Sequence, residues 1–168
     1  ANTGPLHQVE KTILDQVEAI ESWFRLRWQE TPAPITSSVD LRHAGYKLAP
    51  VDTNLFPAGF NNLNLDFMPL CVQAAQLTLV DSYPTCKKIL ILPESHTRNV
   101  FYLQSLGVLS TIFSQAGFSV RIGSLDPDLT TAKTLKISDD ESVLIEPLVR
   151  QGDRIGLKDF DPCLILLN

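Results

Sequence analysis

The chain has 168 residues and a net charge of -5, with 44% hydrophobic and 20% charged residues, which is typical of a globular domain. The acidic balance argues against nucleic-acid binding, because neutralising phosphates requires clustered Lys and Arg. No apolar stretch approaches the roughly 18 residues that span a bilayer, and no signal peptide is apparent, so we expect a cytoplasmic protein without a membrane partner.

The predicted elements begin with a long amphipathic helix over residues 6–29. Apolar residues recur there at steps of three and four, and Pro32 and Pro34 end the pattern. A short strand near residues 38–41 follows. Residues 39–62 as a whole are rich in Gly, Pro and Asn and predict a long ordered loop, a kind of segment that is often functional.

A β-α-β unit is predicted over residues 88–123. The run from Lys88 to Leu92 is continuously apolar after its first residue, as expected for a strand covered on both faces of a parallel sheet. A helical period then continues to Gly117, where a second strand begins. These patterns predict one α/β domain over residues 1–168, a Rossmann-like three-layer domain with a mainly parallel sheet.

The last predicted strand ends at Asn168. In a parallel sheet, a loop and a covering helix normally follow such a strand. We therefore expect the chain to be the N-terminal fragment of a longer enzyme.

The cysteines are Cys71, Cys86 and Cys163, an odd number with no CxxC spacing. Two of them lie in apolar runs, where a thiol behaves as a small hydrophobe. The pattern indicates a reducing compartment, and a domain of this size needs no disulfide for stability.

The first candidate binding stretch starts at a run of alternating residues. Asp40 and Arg42 alternate with apolar side chains, so in a strand both would point to one face. An α-amino acid requires a cation for its carboxylate and an anion for its ammonium group. Arg42 and Lys47 could supply the first, and Asp40 and Asp52 the second. The alternative is that Asp40 and Arg42 form an ordinary surface ion pair.

Three amide side chains extend this stretch: Asn54, Asn61 and Asn62. Amides offer both donors and acceptors and could orient a polar ligand. The alternative is that they only fix the loop through bonds to its backbone.

The second candidate stretch, residues 93–102, joins the end of a buried strand to a helix N-terminus. That place is the usual ligand crevice of open α/β sheets, and its free N–H groups favour an anion. Its candidate ligand contacts are Glu94, His96, Arg98 and Asn99. We expect Arg98 to contact a carboxylate or phosphate and Glu94 an ammonium group. The alternative is that Ser95 or Thr97 merely caps the helix and that Arg98 is a solvated residue of its first turn.

Common catalytic motifs do not occur. The sequence has no phosphate-binding glycine loop, no hydrolase nucleophile elbow and no zinc-binding helix. The histidines, His7, His43 and His96, have no second ligand at metal spacing. The residues therefore predict no metal site and identify no catalytic residue.

Two stretches of the chain resemble one protein family. Val-Asp-Leu-Arg at 39–42, with Lys-Leu-Ala-Pro-Val-Asp-Thr-Asn-Leu-Phe-Pro-Ala-Gly-Phe-Asn-Asn at 47–62, and Pro-Glu-Ser-His-Thr-Arg-Asn at 93–99, resemble the proteobacterial, Thiobacillus-type glutamate-cysteine ligases. The whole chain is similar to the N-terminal part of that family.

The resemblance implies a ligase, dependent on ATP and Mg²⁺, that joins the side-chain carboxyl of L-glutamate to the amine of L-cysteine. This is the first step of glutathione biosynthesis. It also implies an ATP-grasp-like enzyme that forms an acyl phosphate, with this chain as the pre-ATP-grasp domain. ATP and Mg²⁺ are then expected mostly outside this segment, in the rest of the polypeptide, and the fragment alone is expected to be inactive.

Two other functions remain open at this point. The chain fits a non-catalytic α/β module that binds a small metabolite or another subunit. It also fits a glycosyl- or nucleotidyl-transferase with a Rossmann-like half, although the missing glycine fingerprint counts against that class.

Overall fold

The structure, a computed structural model, describes residues 4–94 and 99–168. It divides into two compact units, Ala1–Leu55 and Phe56–Asn168, which we call the first unit and the second unit. The single domain that the sequence predicts over residues 1–168 stays a prediction.

Two helices, rather than one, begin the first unit. α1 spans Pro5–Asp15 and α2 spans Val17–Glu30. Gln16 separates them, because its dihedral angles of φ -113° and ψ 13° lie outside the α-helical range. The prediction of one helix over residues 6–29 is therefore wrong at Gln16. A single non-helical residue leaves the apolar period nearly in phase, so the pattern does not reveal it.

An antiparallel hairpin completes the first unit. β1 spans Ser38–His43 and β2 spans Leu48–Asn54. In the turn between them, the N–H of Ala44 donates to the carbonyl oxygen of Lys47 at 3.0 Å. Gly45 lies in this turn with φ of 85°, a left-handed value that favours glycine. The turn thus brings the two strands into register.

The predicted loop is wrong over residues 48–54, which form β2. Two features of the hairpin explain why the sequence pattern does not reveal this strand. Pro50 lies opposite Leu41, and the register shifts directly after Asp40. A proline and a bulge both interrupt the alternation by which strands are recognised.

The second unit holds the remaining elements. They are 3-10 turns at Phe60–Asn62 and Leu65–Phe67, α3 (Met68–Ser82), β3 (Lys88–Leu92), α4 (Val100–Gln115), β4 (Ser119–Ser124), β5 (Lys133–Lys136), β6 (Ser142–Pro147), β7 (Val149–Gln151), β8 (Arg154–Gly156) and β9 (Leu164–Leu167). β3, α4 and β4 follow the predicted β-α-β order. Within the described parts of the chain, no helix is long and apolar enough to cross a bilayer.

Five strands form the central sheet of the second unit, in the order β5-β6-β4-β3-β9. β6, β4, β3 and β9 are parallel, and β5 pairs antiparallel with β6 at one edge. Residues 89–92 of β3 are all buried between their two neighbouring strands, as their continuous apolar run predicts. The α/β class with a mainly parallel sheet is confirmed.

The core of the second unit lies around α4 and β3. α4 packs against β4 and β6 and buries an apolar side that includes Leu106 and Phe113. A further cluster forms where Leu90 of β3 packs with Leu157 and Phe160. The carboxyl ends of β3 and β9 therefore lie next to a well-packed core.

Candidate functional site

Asn168 joins three segments at the carboxyl ends of β3 and β9. Its N–H donates to the carbonyl oxygen of Leu92 at 3.0 Å, and its carbonyl oxygen accepts from the N–H of Glu94 at 3.0 Å. Its side-chain Nδ2 donates to the carbonyl oxygen of Pro57. The side chain is buried, and its Oδ1 has no partner among the described residues. Asn168 thus ties the segment after Phe56 to the strand ends.

Tyr102, in the first turn of α4, supports the same junction. Its hydroxyl accepts from the N–H of Glu94 at 2.8 Å and donates to the carbonyl oxygen of Asn168 at 3.2 Å. Burial is the main cause that raises the pKa of Tyr102; the bond from the Glu94 N–H lowers it, and the Glu94 carboxylate raises it. The hydroxyl therefore keeps its proton and its donor role at neutral pH.

The segment that carries Asn61 and Asn62 is anchored to α4. The N–H of Phe60 donates to Oγ of Ser105 at 3.2 Å, and Ser105 is itself buried. Nδ2 of Asn61 lies 3.4 Å from Oδ1 of Asn62. These two predicted site residues therefore sit on a fixed turn beside the helix.

A cavity of about 1020 Å³ opens beside this turn. Asn61 lines it, together with side chains of α4, β4 and β6 and the carboxylates of Asp140 and Glu141. Arg121 and Glu146, which also line it, form a two-contact ion pair whose Nε–Oε2 distance is 2.6 Å. That pairing raises the pKa of the Arg121 guanidinium. With Arg121 occupied by Glu146, the remaining charge of the lining is acidic, which suits a cationic group.

The second candidate stretch is described only in part. Asn99 is the N-cap of α4, where its Oδ1 accepts from the N–H of Phe101 at 3.0 Å. Glu94 is exposed beside the junction at Asn168. The predicted contacts His96 and Arg98 lie outside the described residues. The N-cap is thus Asn99 rather than Ser95 or Thr97, the residues that the alternative interpretation names, and one acceptor of Asn99 is committed to the helix.

In the first unit, the hairpin places Asp40 directly opposite Asp52. Arg42 lies opposite Ala49, and Lys47 lies in the turn. Asp40, Arg42, Lys47 and Asp52 are exposed, and none of them forms an ion pair with another described residue. The surface ion pair between Asp40 and Arg42 is therefore absent. Two carboxylates facing each other repel, and a cation placed between them would relieve that repulsion.

The predicted residues thus form groups within each unit. In the first unit, Asp40 and Asp52 are cross-strand neighbours, and Asn54 lies at the end of the same hairpin, opposite Ser38. In the second unit, Asn61 and Glu94 lie on the two segments that Asn168 connects. One site formed by both stretches stays a prediction.

Comparison with protein families matches residues 10–168 to glutamate-cysteine ligase. The chain belongs to the glutamate-cysteine ligase family. A comparison with solved structures gives a crystal structure from Methylobacillus flagellatus KT, named as a candidate gamma-glutamylcysteine synthetase, at 53% identity and a TM-score of 0.86. The match covers 98% of this chain and 39% of that one, so the chain spans about two fifths of its relative's length. No protein with a curated description matches. The resemblance seen in the sequence is confirmed.

Members of a ligase family that uses ATP are expected to need Mg²⁺. Among residues 4–94 and 99–168, no group of three or more His, Cys, Asp or Glu side chains is arranged to hold a metal ion. We assign no step of metal chemistry to these residues.

Sequence reasoning missed the residues that hold the junction at Asn168 and the turn beside it. Asn168, Tyr102 and Ser105 all hold the junction or its neighbouring turn. Each of them is a polar residue within or directly after an apolar run of the sequence. A polar residue at such a position is unusual, and this could have indicated their role. The Arg121–Glu146 pair joins residues 25 apart in the sequence, and spacing alone does not indicate it.

Proposed function

We propose that this chain supplies part of the amino-acid site of an ATP-dependent ligase. The ligase joins the side-chain carboxyl of L-glutamate to the amine of L-cysteine through an acyl phosphate, the first step of glutathione biosynthesis. The family match over residues 10–168 supports this reaction. Because the chain corresponds to 39% of its solved relative, the activity is proposed for a longer polypeptide.

The observation that carries the assignment is the set of unpaired charges on the hairpin. Among the described residues, Asp40, Arg42, Lys47 and Asp52 make no ion pair with one another or elsewhere. We assign Arg42 and Lys47 to carboxylate or phosphate groups and the two aspartates to an ammonium group. An acyl phosphate reacts with water and carries developing negative charge, so cations beside it would stabilise its formation.

The amides of the first stretch and the polar residues of the second stretch are assigned to the same substrates. Asn54, Asn61 and Asn62 would orient polar groups, and the anchoring of residues 60–62 to Ser105 keeps that turn fixed. We assign Arg98 to an anionic group and Glu94 to an ammonium group, with His96 and Asn99 as further polar contacts. The N-terminus of α4, which Asn99 caps, favours an anion.

ATP and Mg²⁺ are assigned mostly to the rest of the same polypeptide, in an ATP-grasp-like architecture. The absence of a phosphate-binding glycine loop in this sequence supports that division. We further infer a cytoplasmic location, where L-glutamate, L-cysteine and ATP are all present.

Turnover of ATP by the full-length gene product tests the proposal. Phosphate release should require L-glutamate and L-cysteine together, and Arg42→Ala should reduce it at least tenfold, since it removes a charge-assisted contact. Arg25→Ala is the matched control, because Arg25 is an exposed arginine of α2 that already pairs with Glu21 at 3.9 Å. It should leave turnover unchanged.

Two results would reject this assignment. Phosphate release that no amino acid stimulates would reject the ligase reaction for this protein. Full turnover by Arg42→Ala would instead reject the hairpin as part of its site. The 168-residue fragment alone should release no phosphate, since the nucleotide is assigned elsewhere.

A non-catalytic binding or subunit-interaction module is the second candidate. The exposed apolar side chains of α2 favour it: Trp23, Leu26 and Trp28 are each more than half exposed. Exposed apolar surface of this kind marks contact with another protein or segment. A pure interaction module should show no change in melting temperature with L-glutamate, L-cysteine or ATP.

A further inference from the structure

Cys86 and Cys163 form a disulfide at the start of two neighbouring strands. Cys86 lies just before β3 and Cys163 directly before β9. Their Cα atoms are 5.5 Å apart, inside the usual range for a disulfide, although 77 residues separate them in the sequence. The sequence pattern indicated thiols, and for this pair it is wrong, because strand pairing brings together residues that spacing does not connect. Cys71 is free.

The two sulfur atoms have different surroundings. Cys86 is buried, whereas Cys163 is exposed. The backbone N–H groups of Lys87 and Lys88 donate to Sγ of Cys163 at 3.1 and 3.2 Å. These N–H donors stabilise negative charge on sulfur, whereas the carbonyl oxygen of Lys88, 3.2 Å from the same Sγ, opposes it. Cys163 is therefore the cysteine of the pair that is more open to attack from solvent, and two backbone N–H donors lie against its sulfur.

The disulfide holds one end of an edge strand. β9 pairs only with β3 in the described sheet, through the residues from Leu164 to Leu167. Cys163 precedes this pairing, and Asn168 follows it with its bonds to Pro57 and Glu94. The same short strand thus connects the disulfide to the junction described above.

We propose that Cys86–Cys163 is a thiol-exchange site for low-molecular-weight thiols, and that its oxidation state controls how firmly β9 and Asn168 hold the segment after Phe56. This inference concerns the protein's sulfur chemistry and does not depend on the ligase activity.

The exchange takes two steps. The thiolate of one small thiol attacks Sγ of Cys163; a mixed disulfide forms and Cys86 leaves as a thiolate that takes up a proton. A second small thiolate attacks the outer sulfur of the mixed disulfide, and Cys163 leaves. In total two small thiols are oxidised to one disulfide, and the two electrons reduce the protein disulfide to two thiols.

Reduction removes the covalent link but leaves the strand pairing. A disulfide that closes a loop of 77 residues constrains the unfolded chain strongly. The reduced protein should therefore keep its fold and lose stability, with the largest change in exchange of the backbone amides of β9.

The first test follows the disulfide directly. The purified protein is equilibrated in buffers of reduced and oxidised glutathione at graded ratios, free thiols are blocked with iodoacetamide, and peptides are identified by mass spectrometry. The linked Cys86–Cys163 peptide should disappear, and both cysteines should become alkylated, as reduced glutathione increases. Cys71→Ser, which removes the free cysteine, should shift this transition by less than twofold.

The second test measures melting temperature. The oxidised protein should melt about 10 °C above the reduced protein, as expected for loss of a disulfide in a chain of this size. Cys163→Ser should melt at the reduced temperature and should no longer respond to glutathione. Because Cys86 is buried and its replacement could prevent folding, Cys163→Ser is the deciding variant.

Each remaining outcome overturns the inference. Absence of the linked peptide at every ratio means that no disulfide forms, and its persistence in excess reduced glutathione means that it does not exchange. Equal melting temperatures for oxidised and reduced protein would show that the disulfide does not control how firmly β9 is held. Loss of ligase turnover in the full-length protein would not affect any of these results.

Discussion

The two units differ in what they bury. None of the described residues of the first unit is buried, although α1, α2 and the hairpin all carry large apolar side chains. In the second unit, β3 and α4 enclose a core of fully buried leucine, isoleucine and phenylalanine side chains. An amphipathic pattern therefore shows which face of an element is apolar but does not show what packs against that face. Among the described residues, only the second unit buries its apolar faces against its own elements.

The largest expected effect separates the two units most clearly. Phe113→Ala removes a ring from the centre of the second unit and should lower the free energy of unfolding by about 4 kcal/mol. Leu26→Ala in α2, where the side chain is 58% exposed, should change it by less than about 0.5 kcal/mol. Urea unfolding followed by circular dichroism measures both. Equal losses would show that the first unit is as well packed as the second.

A smaller contrast comes from two glycines. A Cβ at Gly156 would lie 2.5 Å from the carbonyl oxygen of Phe160, so Gly156→Ala must move the backbone where Leu157 and Phe160 form an antiparallel bridge. We expect a loss of about 2 kcal/mol. A Cβ at Gly4 in the first unit meets nothing within 4 Å, and Gly4→Ala should cost less than about 1 kcal/mol. The reverse order of the two losses in thermal melts would contradict the packing around Phe160.

Two ion pairs give the next comparison. The side chains of Arg121 and Glu146 are 32% and 14% exposed, and Arg121 also lies 5.2 Å from the ring centre of Phe160. Arg121→Ala should cost about 2 kcal/mol, because it leaves Glu146 without its partner. Arg27→Ala in α2 breaks an exposed pair with Glu30 and should cost at most about 0.5 kcal/mol. Denaturant midpoints that fall equally would show that the partial burial of Arg121 adds nothing.

The smallest expected effect concerns pH. Burial raises the pKa of Tyr102, so its contribution to stability is fully present below the ordinary tyrosine value and is lost as pH rises through the folded-state value. Tyr102→Phe should cost about 1 kcal/mol at neutral pH and should reduce the loss of stability above pH ~10.

Tyr46→Phe is the matched control in the first unit, because Tyr46 is 76% exposed in the hairpin turn. It should leave melting temperatures at neutral and alkaline pH unchanged. An unaltered alkaline profile in Tyr102→Phe would show that the junction at Asn168 does not depend on the tyrosine hydroxyl.

Much of the second unit could be predicted from sequence, because burial leaves a direct pattern. The continuous apolar run of β3 and the helical period of α4 each specify an element and its environment. β2 and β5 were not predicted, since a proline interrupts one and lysines begin and end the other. Short strands of that kind carry too few apolar residues to show a period.

The candidate site was only partly accessible to sequence reasoning. Charged residues in an unusual loop pointed to Asp40, Arg42 and Asp52, and the hairpin register then placed the two aspartates opposite each other. The junction at Asn168 and the disulfide depend on strands that pair across 70 or more residues of sequence. The order of the strands in the sheet brings those residues together, and a local sequence pattern does not reveal that order.

The measurement that tests the central claim most directly is identification of the product. The full-length protein is incubated with ATP, L-glutamate and L-cysteine, and the products are analysed by mass spectrometry with fragmentation. The account predicts a dipeptide in which the side-chain carboxyl of glutamate is bonded to the cysteine amine, formed only when ATP is present. A dipeptide linked through the α-carboxyl, or ATP consumed without any dipeptide, would contradict it.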